Sequence, residues 1–143
     1  MKKLLLLFCV IIFTSCSVAR QIDLYPVEGP LSLQVPISVI IARAENVQTY
    51  SGKMALTMPD GEKCSGRWSS SGSVGASQNN YSLLITYGEK LNLSPRGNED
   101  RGYAMLLGTK GTIIDVEFLA GVGTGHGFGV AKDNKGNVYK LLF

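Results

Sequence analysis

The stretch from Gly52 to Trp68 constrains the fold more than any other part of the sequence. Its centre, Pro59-Asp60-Gly61, suits a three-residue hairpin loop, because the proline presets φ and the glycine readily takes the left-handed conformation of a bulge. This loop sets a register in which apolar residues oppose apolar ones along most of the hairpin. The predicted pairs are Met58 with Glu62, Leu56 with Cys64, Met54 with Gly66, Gly52 with Trp68, Lys53 with Arg67 and Thr57 with Lys63.

Two further hairpins are predicted in the C-terminal half. Asn134-Lys135-Gly136 is the loop of a hairpin with the same spacing as the first. The positions of this hairpin correspond one by one to those of the first: Gly127 to Gly52, Gly129 to Met54, Tyr139 to Cys64, Leu141 to Gly66 and Phe143 to Trp68. Around Lys110-Gly111, period-two alternation predicts a strand on each side, marked by Tyr103, Met105 and Leu107 before it and by Ile114, Val116 and Phe118 after it.

Two other segments carry the period-two pattern of strands. Residues 31–41 alternate apolar with polar side chains and predict a half-buried strand, which Pro36 makes an edge strand or a bulged one. Residues 81–87 alternate in the same way, and Leu91 and Leu93 predict the return strand. The chain is therefore predicted to be all-β, an antiparallel meander of about seven or eight strands that forms a small barrel or a sandwich.

The spacing Gly…Asp-Gly-x-x-(Tyr or Cys)-x-Gly-x-Trp resembles one unit of the membrane occupation and recognition nexus (MORN) repeat. The resemblance covers 52–68 and, more loosely, 127–143. The two units are not in tandem, Cys64 replaces the aromatic residue of the repeat, and Leu141 replaces its second glycine. Stacked repeats need neighbours to bury their faces. We therefore interpret the likeness as the same residue spacing arising from the same hairpin geometry, and carry no function over from it.

The N-terminal segment has the character of a secretion signal. Lys2 and Lys3 precede an uninterrupted apolar run from Leu4 to Phe13, within which Cys9 lies. At about 1.5 Å per residue this run reaches roughly 15 Å as a helix, about half of the ~30 Å hydrocarbon thickness. We therefore predict a signal peptide over 1–15 that is removed, rather than a spanning anchor.

Phe13-Thr14-Ser15-Cys16 resembles the lipobox of bacterial lipoproteins, although Phe13 stands where leucine is usual. The resemblance implies that the Cys16 thiol receives a diacylglyceryl group and becomes the new N-terminus, and that the acylated chain is anchored to a membrane. Two or three acyl chains hold more stably than a single myristoyl group. Since Ser17 follows, and not the aspartate associated with inner-membrane retention, the resemblance implies an outer-membrane location. A plain secretory signal is the alternative.

Behind the signal we predict a tether over 16–30, which carries Pro26, Gly29 and Pro30 and has no clean period, and a single β domain over 31–143. The chain has 14 basic and 11 acidic residues, and loss of Lys2 and Lys3 with the signal leaves a nearly neutral balance. Nucleic-acid binding needs a clustered basic face, so no nucleic-acid partner is expected.

Catalysis has one candidate pair, Cys64 and His126. A thiolate beside an imidazole is the arrangement of cysteine hydrolases, which would make the protein a periplasmic hydrolase. Against this, Cys64 lies in the middle of a predicted strand, facing Leu56, and no helix follows it to lower its pKa. We therefore expect Cys64 to be a small core residue and assign no catalytic residue.

The glycine-rich run 121–129 precedes a predicted strand and not a helix, which argues against a phosphate-binding loop. We expect its glycines to let a large side chain approach, for instance Trp68 or Tyr139, and a binding groove is the alternative. One histidine and no paired cysteines predict neither a metal site nor a cofactor.

Two polar loops, 69–80 and 94–102, are the expected recognition surfaces if the protein binds a partner. The sequence as a whole thus predicts a lipid-anchored cell-envelope protein, non-catalytic, that binds a protein, peptidoglycan or glycan partner or serves as a structural subunit.

Overall fold

A computed structural model describes residues 18–71, 82–95, 97, 99–121 and 124–143. In these ranges, eight antiparallel strands follow one another in chain order and close into a barrel, with β8 paired to β1. The strands are β1 (Arg20–Glu28), β2 (Ile40–Ala44), β3 (Ser51–Thr57), β4 (Lys63–Ser71), β5 (Glu99–Gly108), β6 (Ile113–Gly121), β7 (Gly127–Asp133) and β8 (Val138–Leu142). A short helix, α1 (Ser82–Tyr87), lies between β4 and β5 in sequence. The predicted all-β meander is confirmed, and it is a barrel rather than a sandwich.

Alternate residues of the strands fill the barrel interior, as the period of a β-strand requires. The fully buried side chains include Leu24, Met54, Leu106, Ile114, Val116, Tyr139 and Leu141. A second apolar cluster lies outside the barrel, where α1 and the residues after it cover β7 and β8; its buried members are Leu93, Val130 and Val138. The two clusters lie on the inner and outer faces of the same barrel wall.

The register of the first hairpin is confirmed pair by pair, including Gly52 with Trp68 and Leu56 with Cys64. Gly61 has φ +85°, as the loop requires, and the Met58 amide donates to the Glu62 carbonyl at 2.8 Å. The short loop therefore set the pairing that the alternation alone left open.

The other two hairpins are confirmed as well. Gly129 faces Leu141 across β7 and β8, and Gly136 has φ +89° in the loop between them. In the β5–β6 hairpin, Leu106 faces Ile114 inside the barrel. The alternating residues Tyr103, Met105 and Leu107 point outward, so on β5 the apolar pattern marks the outer face.

The predicted tether is wrong over Arg20–Glu28, which forms β1 and closes the barrel by pairing with β2 and β8. Ile22, Leu24 and Pro26 point inward, and the polar Asp23 stands between the first two. Pro26, Gly29 and Pro30 are typical of a linker, but Pro26 is accommodated next to a register shift between β1 and β8, where the ladder is interrupted.

The predicted strand over 31–41 is wrong except at its end. Pro30–Leu33 forms a 3-10 turn, residues 34–39 lie outside any strand, and β2 begins only at Ile40. The buried phase is then Ile40, Ala42 and Ala44, opposite to the phase predicted. A period-two pattern predicts the face a strand presents, but a strand forms only where a neighbour pairs with it.

The predicted strand over 81–87 is also wrong, because Ser82–Tyr87 is helical. Leu83, Leu84 and Tyr87 pack on the outer cluster with helical spacing, whereas Ile85 is exposed. The Leu84 amide donates to the buried Glu117 carboxylate of β6 at 2.9 Å, which stabilises the helix start.

The two ends of the barrel differ. We call the end where β1 begins and β8 ends the mouth end, and the opposite end, which carries the three hairpin loops, the turn end. At the turn end Glu62, Asp133 and Asn137 are buried: Glu62 accepts the Thr112 amide of the next hairpin, and Asp133 accepts the side-chain amide of Asn137 within its own hairpin. Asn137 Oδ1 also accepts the Leu31 amide at 2.9 Å, which ties the 3-10 turn to this end.

Candidate functional site

The mouth end of the barrel contains a cavity of about 560 Å³, which we call the cup. Its described lining comes from the first halves of β1, β3 and β5, the ends of β2, β4, β6 and β8, the 47–50 loop, Gly125 in the loop before β7, and Phe143 after β8. Eight-stranded barrels are wide enough to hold one small ligand, and pockets for such ligands measure about 300–1,000 Å³. The cup has the size and position of a ligand site.

Besides Tyr50 at the rim, three aromatic residues line the cup: Trp68, Phe118 and Phe143. The centroids of Trp68 and Phe118 lie 6.3 Å apart, and those of Phe118 and Phe143 lie 6.0 Å apart, both pairs edge to face. Such pairs contribute packing beyond their buried area and hold each ring in one orientation. The aromatic surface of the cup is therefore preorganised.

Each ring lies over a glycine of the strand paired with its own. The pairs are Trp68 with Gly52, Phe118 with Gly102, and Phe143 with Gly127. A Cβ on Gly102 would overlap the Phe118 ring, and one on Gly127 would overlap the Phe143 ring. Glycine on one strand thus makes room for an aromatic residue on the next, which is how this end of the barrel holds three large rings.

Aliphatic side chains form the inner wall of the cup, among them Ile22, Met54 and Leu141. Trp68 Nε1 donates to the Glu45 carbonyl at 2.9 Å, so the polar atom of the indole is satisfied by backbone. The inner wall therefore offers apolar contact and leaves no indole donor for a ligand.

The rim of the cup carries charge. Arg20 and Asp100 both line it, together with the hydroxyl-bearing residues Thr49, Tyr50 and Ser70. Within the described ranges, neither the Arg20 guanidinium nor the Asp100 carboxylate has a hydrogen-bond or ion-pair partner. Arg20 lies against Gly125 in the loop before β7. A cationic and an anionic group are thus available beside an apolar cavity.

Cys64 and His126 are not brought together. Cys64 is 1% exposed near the start of β4, at the turn end, whereas the exposed His126 precedes β7 at the mouth end. Burial raises the pKa of the Cys64 thiol above its ordinary value, and the nearby charges of Glu62 and Asp60 raise it further. A protonated, enclosed thiol far from the imidazole does not form the arrangement of a cysteine hydrolase.

The glycine-rich run does allow large side chains to approach, but the rings differ from those expected. Gly127 lies under Phe143, and Gly129 contacts Phe118, whereas Trp68 packs over Gly52. Phe118 was missed as a site residue, although the register of the hairpin around Lys110-Gly111 pairs it with Gly102. The sequence signal that could have identified Phe118 is a glycine, Gly102, directly opposite it in the paired strand.

The buried polar groups of the turn end serve structure. Thr112, Lys110 and Lys135 donate to the Glu62 carboxylate, and the Thr112 hydroxyl contributes most to lowering its pKa to about 2. The Tyr139 hydroxyl donates to Asp133 at 2.7 Å. Burial, followed by this bond to a carboxylate, raises the pKa of Tyr139. These contacts join the three hairpin loops and close this end of the barrel.

Cys16, the predicted signal peptide over 1–15 and residues 72–80 of the first polar loop lie outside the described residues. In the ranges that are described, no group of three or more His, Cys, Asp or Glu side chains is placed to hold a metal ion. Nor does any helix in those ranges have the length and apolar character needed to cross a membrane.

Comparison of the chain with known protein families, with curated proteins and with solved structures returned no match. The lipobox and MORN resemblances therefore stay predictions from the residues that carry them.

Proposed function

We propose that this chain is a lipid-anchored, non-catalytic protein of the bacterial cell envelope that binds one small amphipathic ligand in the cup. The observation that carries this proposal is the cavity of about 560 Å³ with three fixed aromatic rings. Mostly apolar concave sites with a few polar groups are the usual form of small-molecule sites. The opposite end of the barrel is filled and hydrogen-bonded, so the cup is where a ligand enters.

The ligand chemistry follows from the two parts of the cup. An apolar body fits against Phe118, Phe143 and the aliphatic wall, where it displaces water from carbon surface. A polar group at its outer end meets the Arg20 guanidinium, whose donors suit carboxylate, phosphate or sulfonate oxygens. Asp100 on the same rim accepts hydroxyl or amino donors.

The anchor and the cup lie close together along the chain. Val18 lines the cup, and only Ser17 separates it from Cys16, the proposed site of acylation. Two residues of extended chain span at most about 7 Å. Acylation of Cys16 therefore holds the mouth end beside the membrane, with the turn end directed away from it.

Trp68 makes ligand binding directly measurable, because it is the one tryptophan of the chain and lines the cup. The unlipidated chain from Ser17 onward is titrated with 1-anilinonaphthalene-8-sulfonate, which has an apolar aromatic body and an anionic group. We expect saturable one-to-one energy transfer from Trp68 to the probe. Arg20→Gln is expected to weaken binding about tenfold, because it removes a charged hydrogen-bond donor.

Arg43→Gln is the matched control, since Arg43 is exposed on the outer face of β2 and does not line the cup. Equal affinity of the Arg20 and Arg43 variants, or a signal that does not saturate, would contradict a ligand site in the cup.

Anchoring is tested separately by substituting Cys16→Ala in the full-length chain and fractionating cells. We expect the wild type in the membrane fraction and the variant in the soluble one. Membrane association that survives the substitution would show that the lipid is not the anchor, whatever the cup binds.

A further inference from the structure

The rim of the cup carries two charged side chains of opposite sign, Arg20 on β1 and Asp100 on β5. The eight strands follow one another around the barrel in chain order, so β1 and β5 stand four strands apart, on opposite walls. Within the residues that the structure describes, the two groups do not pair with each other, and neither has another hydrogen-bond or ion-pair partner. A cation and an anion therefore line the opening of the cup from two sides.

Both charges stand one inward-facing position outside the apolar interior. Because inward positions alternate along a strand, the next one after Arg20 is the buried Ile22. The next one after Asp100 is Gly102, over which the Phe118 ring packs. Burying an unpaired charge is costly, so the charged part of a ligand stays at the rim while its apolar part fills the space below. The cup thus orients an amphiphile with its head group outward.

The apolar space below the rim is narrow. An eight-stranded barrel is just wide enough inside to hold one small ligand, and the cavity measures about 560 Å³. The rings of Trp68, Phe118 and Phe143, fixed edge to face, narrow its cross-section further. This space suits one acyl chain better than the two chains of a diacyl lipid.

The Arg20 guanidinium is accommodated against backbone and not against an acidic side chain. A Cβ added to Gly125 would lie 2.6 Å from Nη2 of Arg20, so the glycine in the loop before β7 is what allows this close approach. Because no carboxylate neutralises it in the described structure, the guanidinium keeps donors for phosphate or carboxylate oxygens.

We propose that the ligand of the cup is a zwitterionic amphiphile with one acyl chain, bound by its anionic group at Arg20 and by its ammonium group at Asp100. An ammonium group has three hydrogen-bond donors, and an ionised carboxylate only accepts. A hydrogen bond between two charged groups is roughly twice as strong as a neutral one, so Asp100 favours an ammonium over a hydroxyl group.

A lysophospholipid with a phosphoethanolamine head group has this chemistry. Its phosphate and its ammonium are joined by a short carbon linker, which lets the head group contact both sides of the rim. The proposed anchor at Cys16 holds the mouth end beside a membrane, which is a source of such lipids. This inference rests on the proposed ligand site in the cup and adds the charge pattern of the head group.

Two lysophospholipids that differ only in the head group test this pattern. Lauroyl lysophosphatidylethanolamine and lauroyl lysophosphatidylglycerol share the chain and the phosphodiester, but glycerol hydroxyls replace the ammonium in the second. The chain from Ser17 onward contains the whole described barrel and is titrated with each lipid below its critical micelle concentration, by isothermal titration calorimetry. We expect the ethanolamine lipid to bind about tenfold more tightly, because only its head group forms a charged hydrogen bond to Asp100.

Asp100→Asn removes the charge and keeps the shape of the side chain. We expect the affinity for the ethanolamine lipid to fall about tenfold, whereas the affinity for the glycerol lipid should not fall, because its phosphate is no longer repelled by a carboxylate. Retained binding of the glycerol lipid also shows that the variant is folded. Arg20→Gln should weaken both lipids, since both carry a phosphate.

Glu89→Gln is the matched control, because Glu89 is exposed after α1 and does not line the cup; both affinities should equal those of the wild type. Equal affinity of the wild type for the two lipids, or an equal loss of both in Asp100→Asn, would overturn the inference. If the anilinonaphthalene sulfonate probe still saturates the cup in that case, the proposed function stands without it. No saturable binding of the probe or of either lipid would overturn both.

Discussion

The carboxylate of Glu62 accepts a hydrogen bond from the Thr112 hydroxyl at 2.5 Å, although fifty positions separate the two residues along the chain. The other oxygen of Glu62 accepts the backbone amides of Lys110 at 2.7 Å and Thr112 at 3.0 Å. Lys135, in the third hairpin loop, donates to the carboxylate at 3.4 Å. The Glu62 side chain thus connects all three hairpins. Its hydrogen bonds also compensate for the cost of burying its charge.

Acid is expected to destabilise the barrel through Glu62. The pKa of this carboxyl is about 2 in the folded chain and 4.5 when unperturbed, so the unfolded chain binds a proton first as pH falls. The stability that Glu62 contributes is therefore complete above pH 4.5 and lost progressively toward pH 2. Urea unfolding at pH 7 and pH 3 measures this loss. The loss of unfolding free energy between pH 7 and pH 3 should be smaller in Glu62→Gln, which is already less stable than the wild type at pH 7. In the control Glu45→Gln the loss should equal that of the wild type, because Glu45 is exposed.

Thr112→Val removes the hydroxyl donor and keeps the shape of the side chain. We expect the pKa of Glu62 to rise from about 2 toward its ordinary value, because the Thr112 hydroxyl is the largest cause of its depression. The melting temperature should fall by about 4–8 °C, as loss of one hydrogen bond to a charged group implies. NMR titration of the Glu62 side-chain carboxyl carbon measures the pKa. An unchanged pKa would show that the backbone amides hold the charge alone.

Gly102→Ala is expected to destabilise the protein by about 1–3 kcal/mol, because the added Cβ overlaps the Phe118 ring. Phe118→Leu makes room for it, so the double variant should be more stable than the sum of the two single changes predicts. Urea unfolding of the four proteins gives the coupling free energy. Additive effects would mean that Gly102 and Phe118 do not contact each other in solution.

Cys64 should resist alkylation in the native protein. It is buried, and its raised pKa keeps the thiol protonated at neutral pH. In the chain from Ser17 onward, where it is the one cysteine left, iodoacetamide should label it only after denaturation. Mass spectrometry before and after adding urea reads out the labelling. Rapid labelling of the folded chain would contradict its enclosure and reopen a chemical role for this thiol.

The hairpins show how much of this fold could be predicted from the sequence. Pro59-Asp60-Gly61 and Asn134-Lys135-Gly136 determine loop length locally, and loop length sets which residues face each other. The facing of Gly52 and Trp68, and of Gly127 and Phe143 on the same hairpin spacing, followed from the sequence. Phe118 and Gly102 face each other for the same reason and could have been found in the same way.

Segments without a tight loop were less predictable. Arg20–Glu28 pairs with β8, which lies at the other end of the chain, and no pattern of neighbouring residues predicts this pairing. The alternation from Leu33 to Ile41 is as regular as that of the confirmed hairpins, yet the described chain offers residues 35–39 no strand to pair with. The segment Ser82–Tyr87 takes the helical form because Leu83, Leu84 and Tyr87 can then pack together on the outside of the barrel.

The sequence by itself thus determined the all-β character, the three hairpins and their registers, since these depend on turn residues and on the period of side chains close in the chain. Only the tertiary structure decided that β1 and β8 meet, because a pairing between distant segments depends on the closure of the whole sheet. Closure in turn created the cup, brought Arg20 and Asp100 to one rim, and gathered the hairpin loops around Glu62.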